Sequence, residues 1–167
     1  MRQEFIYNLP SNYDMKTKLY WFTGQAGAGK TTLALALKNK LEIKSPQKVV
    51  ILDGDEIREL FNNKDYSKEG REKNVDMVQN CCRFLAKNDI VTIVCMVSPF
   101  AQQRMNLCKE LDGIEIYVKC DSERGREHFH VDYFEEPIAD FSYNHVTMNT
   151  TFVEPKEAFE ELWKKLS

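Results

Sequence analysis

The chain has 167 residues, enough for one domain whose core needs no disulfide or metal staple. Hydrophobic residues make up 43% and charged residues 29%, which excludes a disordered or fibrous chain. The formal charge is −3, so the chain lacks the basic footprint of a general nucleic-acid binder.

No apolar run approaches the roughly 18 residues that a membrane span needs. Residues Met1 to Asp14 mix charge and Asn with single apolar residues, unlike a signal peptide. The five cysteines contain no CxxC pair, and most fall in apolar patterns where a free thiol acts as a small hydrophobe. These features predict a cytoplasmic protein with no membrane and no nucleic-acid partner. No linker or repeat divides the sequence, so one domain is expected over 1–167, with 1–17 as an N-terminal extension. Phe5, Tyr7 and Tyr13 in that extension offer apolar surface to a second copy, a homodimer.

Leu19 to Phe22 is a compact apolar run that reads as a strand and ends at a glycine-rich stretch. Thr31 to Leu41 carries leucines and alanines at helical offsets. Val49 to Leu52 is β-branched and uninterrupted, as in a strand covered on both faces. Ser67 to Asn88 is helical in period, with Ser67 at its start. Ile90 to Val97 is the strongest strand and stops at Ser98-Pro99. A helix over Ala101 to Leu111, closed by Gly113, and a strand over Ile114 to Cys120 follow. Asp121 to His145 has no clean period and reads as a lid over 121–145. A short strand, Val146 to Asn149, and a helix from Pro155 to Leu166 complete the chain. Strands alternating with helices predict a three-layer α/β fold with a parallel sheet of about five strands. Ligands of such sheets sit beyond the carboxyl ends of the strands.

At the end of the first strand stands Gly24-Gln25-Ala26-Gly27-Ala28-Gly29-Lys30-Thr31, which matches GxxxxGK[ST]. A loop with little side-chain bulk curls its N–H groups around phosphates, and the helix behind it presents its positive end. Lys30 reaches the β and γ phosphates, and the Thr31 hydroxyl ligates Mg²⁺. The fold is therefore expected to be a nucleoside-kinase-like P-loop NTPase that binds ATP and Mg²⁺. The second strand ends in Asp53-Gly54-Asp55, two carboxylates able to face the metal and a reacting hydroxyl together. A GTPase would need an NKxD guanine reader, and Asn39-Lys40-Leu41-Glu42 lacks the Asp. The negative charge disfavours a polynucleotide end kinase. A non-catalytic NTP-binding module stays as the alternative from another class.

Taken together, YWFTGQAGAGKTTLALAL, VVILDGDEIR, YSKEGREKN and VSPF resemble the adenylylsulfate kinase family from about Leu19 to Pro137. The resemblance implies transfer of the γ-phosphate of ATP to the 3′-hydroxyl of a nucleotide's ribose. It implies that Gly24, Gln25, Ala26, Gly27, Ala28, Gly29, Lys30, Thr31 and Thr32 hold ATP-Mg²⁺. It places Asp53 and Asp55 at the reacting hydroxyl, with Arg58, Arg71, Asn74, Val97 and Ser98 facing the acceptor. Tyr66 and Phe129 match two aromatics that would sandwich the acceptor base, a stack worth about 1–3 kcal/mol per base.

The stretch Cys120 to His130 departs from the family, whose lid is longer and carries a lysine pair. The compact lid and Tyr66 are most similar to family members that phosphorylate cytidine diphosphoramidate for capsule modification. A terminal P–NH₂ would favour acceptors such as Glu127, His128 and His130 over lysine donors. The sequence reading thus prefers cytidine diphosphoramidate, with adenylylsulfate as the alternative acceptor.

Overall fold

The computed structural model describes residues 17–167. The elements are β1 (Leu19–Thr23), α1 (Lys30–Lys44), β2 (Val49–Asp53), α2 (Gly54–Leu60) and α3 (Lys68–Lys87), then β3 (Val91–Cys95), α4 (Ala101–Glu110), β4 (Ile114–Lys119), β5 (Asn144–Asn149) and α5 (Pro155–Leu166). The expected N-terminal extension, with Phe5, Tyr7 and Tyr13, lies outside the described residues save for its last position.

All five strands are parallel, in the order β2-β3-β1-β4-β5. Central β1 is covered on both faces, and its side chains alternate accordingly. Tyr20 and Phe22 enter a core with Leu33 and Leu37 of α1 and Ala158 and Leu162 of α5. Leu19 and Trp21 enter a second core with Val75, Val78 and Cys82 of α3 and Met105 and Leu107 of α4. The result is helix, sheet, helix: a three-layer α/β P-loop NTPase fold. Cys82 and Cys95 are buried, and burial pushes both thiols up to about 12. No helix among the described residues is long and apolar enough to cross a membrane.

Several boundaries differ from the sequence reading for local reasons. Helix α1 runs past Leu41 to Lys44. Strand β3 stops at Cys95, earlier than Val97, because the chain turns there and Ser98 takes a positive φ of 40°. Asp53-Gly54-Asp55 is more than a strand-end turn. The Asp53 carboxylate accepts the N–H of Asp55 at 2.8 Å and of Glu56 at 3.5 Å, capping the seven-residue helix α2. So short a helix leaves no hydrophobic period to read. Ser67 caps α3 through the N–H of Gly70, and Pro155 opens α5, as expected.

A buried polar hub ties one side of the sheet together. Arg104 of α4 and Glu115 of β4 are fully buried, with Nε 2.6 Å from Oε1. The guanidinium also donates to the carbonyl of Ser98 at 2.5 Å and of Glu135 at 2.7 Å. Tyr143 donates to the second oxygen of Glu115 at 2.9 Å, and Glu135 accepts the N–H of Ala101 at 2.8 Å. One ion pair thus fixes α4, β4, the loop after β3 and the far end of the lid. Removing one partner strands a buried charge, so Glu115→Ala should cost about 3–5 kcal/mol in urea denaturation. The paired replacement Arg104→Met with Glu115→Leu leaves no buried charge and should cost less than the sum of the two single replacements. A loss under about 1 kcal/mol for Glu115→Ala would contradict this account of the hub.

Candidate active site

The glycine-rich loop connects β1 to α1. Gly24 adopts φ 142°, and a Cβ there would collide with the carbonyl oxygen of Val118 in β4. Only glycine lets the loop leave β1 so close to its neighbour. Lys30 opens α1 and folds back, donating to the carbonyls of Gly24 at 2.9 Å and Gln25 at 2.7 Å.

A cavity of about 520 Å³ runs from this loop, past the ends of β2 and β3, to the first turns of α3. Of the residues singled out in the sequence, Ala26, Gly27, Gly29, Lys30, Thr31, Thr32, Asp53, Asp55, Arg58, Tyr66, Arg71, Asn74, Val97 and Ser98 all line it. Four do not. Gly24 lies under β4, and Ala28 is buried with its carbonyl accepting from Thr150 at 2.7 Å. The Gln25 side chain turns to Val131 in the lid. Phe129 is half exposed, against the His128 ring at 4.0 Å and the Arg126 guanidinium at 5.3 Å. The expected sandwich of Tyr66 and Phe129 is therefore not formed in this arrangement.

The end of the cavity away from the glycine-rich loop is built from α2 and α3. Arg58 is buried, donates to the carbonyl of Asp65 at 2.7 Å and lies 4.3 Å from the Tyr66 ring centroid. Arg71 approaches the same ring at 5.6 Å, so two guanidinium groups flank one aromatic ring. Asn74 donates to the carbonyl of Gly54 at 3.3 Å, while its buried Oδ1 has no protein partner. That unpaired acceptor is suited to a hydroxyl or amine of a bound molecule. Ser98 behaves differently. Its hydroxyl takes the Trp21 N–H at 2.9 Å and meets Thr23 Oγ1 at 3.1 Å, so it shapes the wall and is committed to the protein.

Sequence reasoning left out a second cavity, of about 250 Å³, that shares Gly29, Thr32 and Arg124 with the first. It is walled by Leu33, Val153, Pro155 and Ala158, a mostly apolar slot suited to a flat base. The signal for it was the turn after the last strand, Thr150 to Pro155, at the same carboxyl edge. Arg124 and Arg126, the two arginines of the lysine-free stretch, both line the main cavity. With Lys30, Arg58 and Arg71 they make five basic side chains there against Asp53 and Asp55. A chain of net charge −3 has concentrated cations where a polyanion would sit.

The lid groups Glu127 and His130 are already engaged. Glu127 accepts the N–H of Arg124, and His130 Nε2 lies 3.1 Å from the carbonyl of Ala26. His128 packs on Phe129. Glu127 and His130 thus each spend one atom on the protein, through Oε1 and Nε2.

Burial pushes the Lys30 ammonium down to about 8, against the pull of Asp53 and Asp55 and with the added repulsion of Arg126. The unfolded chain therefore binds more protons than the folded one between about pH 8 and the ordinary lysine value of 10.5. The burial penalty is complete below pH 8 and fades as pH rises through that window. Lys30→Met should be stabilised relative to wild type at pH 7 without nucleotide, and the difference should shrink toward pH 10. Parallel stability curves for the two proteins from pH 7 to 10 would contradict it.

A family model described as adenylylsulphate kinase matches residues 16–132. A probable adenylyl-sulfate kinase of Archaeoglobus fulgidus is 43% identical over 105 residues, covering 62% of this chain and 67% of its own. One from Pyrococcus abyssi is 43% identical over 100 residues, covering 59% of this chain and 57% of its own. The matched stretch thus spans between about half and two thirds of these relatives' length. Among solved structures, the Mycobacterium tuberculosis APS kinase in complex with AMPPNP and APS has a TM-score of 0.69. It covers 90% of this chain and 97% of its own at 19% identity, a likeness of fold. Matched over most of its length by that model, the chain belongs to the adenylylsulfate kinase family of P-loop kinases.

Proposed function

We propose that this chain transfers the γ-phosphate of ATP to the ribose 3′-hydroxyl of a nucleotide, with adenylylsulfate as the favoured acceptor. The observation that carries this is the shared cavity. It joins the phosphate loop, the capped Asp53 carboxylate and the Arg58–Tyr66–Arg71 group within one space of about 520 Å³. ATP lies with its phosphates along the loop, under Lys30, Arg124 and Arg126, and its base in the adjoining slot. The Thr31 hydroxyl and the Asp55 carboxylate are hard oxygen donors on the same cavity wall, a set suited to Mg²⁺ with its waters. When bound, the ion would neutralise charge on the β and γ phosphates.

The acceptor enters from the α2–α3 side. Tyr66 carries its base, Arg58 and Arg71 take its anionic groups, and Asn74 Oδ1 receives a hydroxyl or amine hydrogen. Capping fixes one oxygen of Asp53, which leaves the other to take the 3′-hydroxyl proton. Asp55 is more exposed and is the second carboxylate at that end.

Adenylylsulfate is favoured by the similarity to adenylyl-sulfate kinases at 43% identity. Cytidine diphosphoramidate is the second reading, carried by the lysine-free stretch between Cys120 and His130. Both acceptors should be offered side by side with ATP-Mg²⁺, with the product's phosphate located by phosphorus NMR. Faster turnover of adenylylsulfate is expected, and faster turnover of the amidate would reverse the assignment. Lys30→Ala should remove most turnover. Asp53→Asn keeps a good helix cap, so it should preserve the fold and ATP binding while lowering kcat by roughly 10²–10⁴. An Asp53→Asn enzyme with near wild-type kcat would place the base elsewhere.

A further inference from the structure

Gln25 is the second residue of the phosphate loop, yet its side chain leaves the cleft. Its Nε2 donates to the carbonyl of Val131 at 2.8 Å, and its Oε1 accepts the N–H of the same residue at 3.0 Å. One side-chain amide thus satisfies both backbone groups of one lid residue, as a neighbouring strand would. Val131 is only 4% exposed, so the point that Gln25 grips is itself anchored in the protein.

Two further bonds join the same pieces. His130 Nε2 meets the carbonyl of Ala26 at 3.1 Å, and Arg124 donates to the carbonyl of Gly27 at 3.3 Å. Gln25, Ala26 and Gly27 are therefore each tied to the lid in turn. Gly27 permits the approach: a Cβ at that position would lie 3.2 Å from Cβ of Arg126. Between the Gln25 clasp and the contact at Gly27, the lid brings Arg124 and Arg126 to the cavity wall.

We propose that Gln25 is a positioning residue, setting Arg124 and Arg126 over the triphosphate by clasping the backbone of Val131. The inference rests on the reading of the loop as an ATP site. The clasp orders a lid stretch that holds only a single turn of 3₁₀ helix, Glu127–Phe129, before any nucleotide arrives. It thereby lowers the conformational cost of engaging the phosphates with two long, flexible side chains.

Trypsin reads the clasp directly, because it cuts after Arg124 and Arg126. In the nucleotide-free protein, Gln25→Leu should speed cleavage at those two bonds about fivefold or more, with Tm and cleavage elsewhere unchanged. Gln25→Glu keeps the side chain's size but replaces the donor to the Val131 carbonyl with a carboxylate oxygen that repels it, and should behave the same way, which guards against a folding defect in the first variant. Calorimetry with ATP-Mg²⁺ should give a Kd about tenfold weaker for Gln25→Leu, with the acceptor's KM within about twofold of wild type. In an Arg124→Ala, Arg126→Ala background, Gln25→Leu should add nothing further. A lid whose cleavage does not respond in either variant overturns the clasp, whatever the cleft binds. A responsive lid with unchanged ATP affinity, or an equal loss in the arginine-free background, overturns the positioning role. A wild-type protein that binds no ATP removes the kinase reading and this role with it.

Discussion

Every strand of the sheet runs the same way, so every strand releases the chain at one edge. That constraint decides where chemistry can gather. The loop after β1 delivers Lys30 and Thr31, the end of β2 delivers Asp53, and the end of β3 delivers Val97 and Ser98. The chain after β4 contributes Arg124 and Arg126, and the turn after β5 contributes Thr150 and Val153 to the adjoining slot. No side chain has to reach far, because the ladder of a buried parallel sheet has already placed the backbone. The Arg104–Glu115 hub then holds the loop after β3 against the sheet, where a lone buried charge would be costly.

The same edge concentrates charge. Five basic groups crowd a space that two acids do not balance, and the Lys30 ammonium is depressed by its burial. Such an arrangement opposes folding and favours a polyanionic ligand, a common relation between stability and function at binding sites. Arg58 and Arg71 soften their mutual repulsion by stacking on the Tyr66 ring. The acceptor's base and its anionic end would then meet one composite surface.

The periodic and motif-bearing parts were legible because their physics is local. The phosphate loop is set by glycine spacing, β1 and β3 by β-branched and aromatic runs, and α5 by Pro155 and its apolar stripe. Fourteen of the eighteen singled-out residues line one cavity, because motifs that follow parallel strands converge at their carboxyl edge. What escaped the sequence is non-local. Arg104 lies in a stretch that reads as an ordinary surface helix, and only the fold buries it against Glu115. Gln25 matches an unconstrained position of the loop pattern, and its partner Val131 is more than a hundred residues away. His130 reads as a free lid group because nothing in the sequence tells of the Ala26 carbonyl that it meets. Phe129 matches an aromatic of the family, but the shortened lid sets its ring against Arg126 instead of the cavity.

The central claim is that the nucleophile is the 3′-hydroxyl of a nucleotide held between Asp53 and the Arg58–Tyr66–Arg71 group. The most direct measurement compares 2′-deoxy and 3′-deoxy forms of the better acceptor in γ-phosphate transfer from ATP-Mg²⁺. The 2′-deoxy form should be phosphorylated, while the 3′-deoxy form should bind competitively and remain unphosphorylated. Phosphoryl transfer to the 3′-deoxy form would contradict the account.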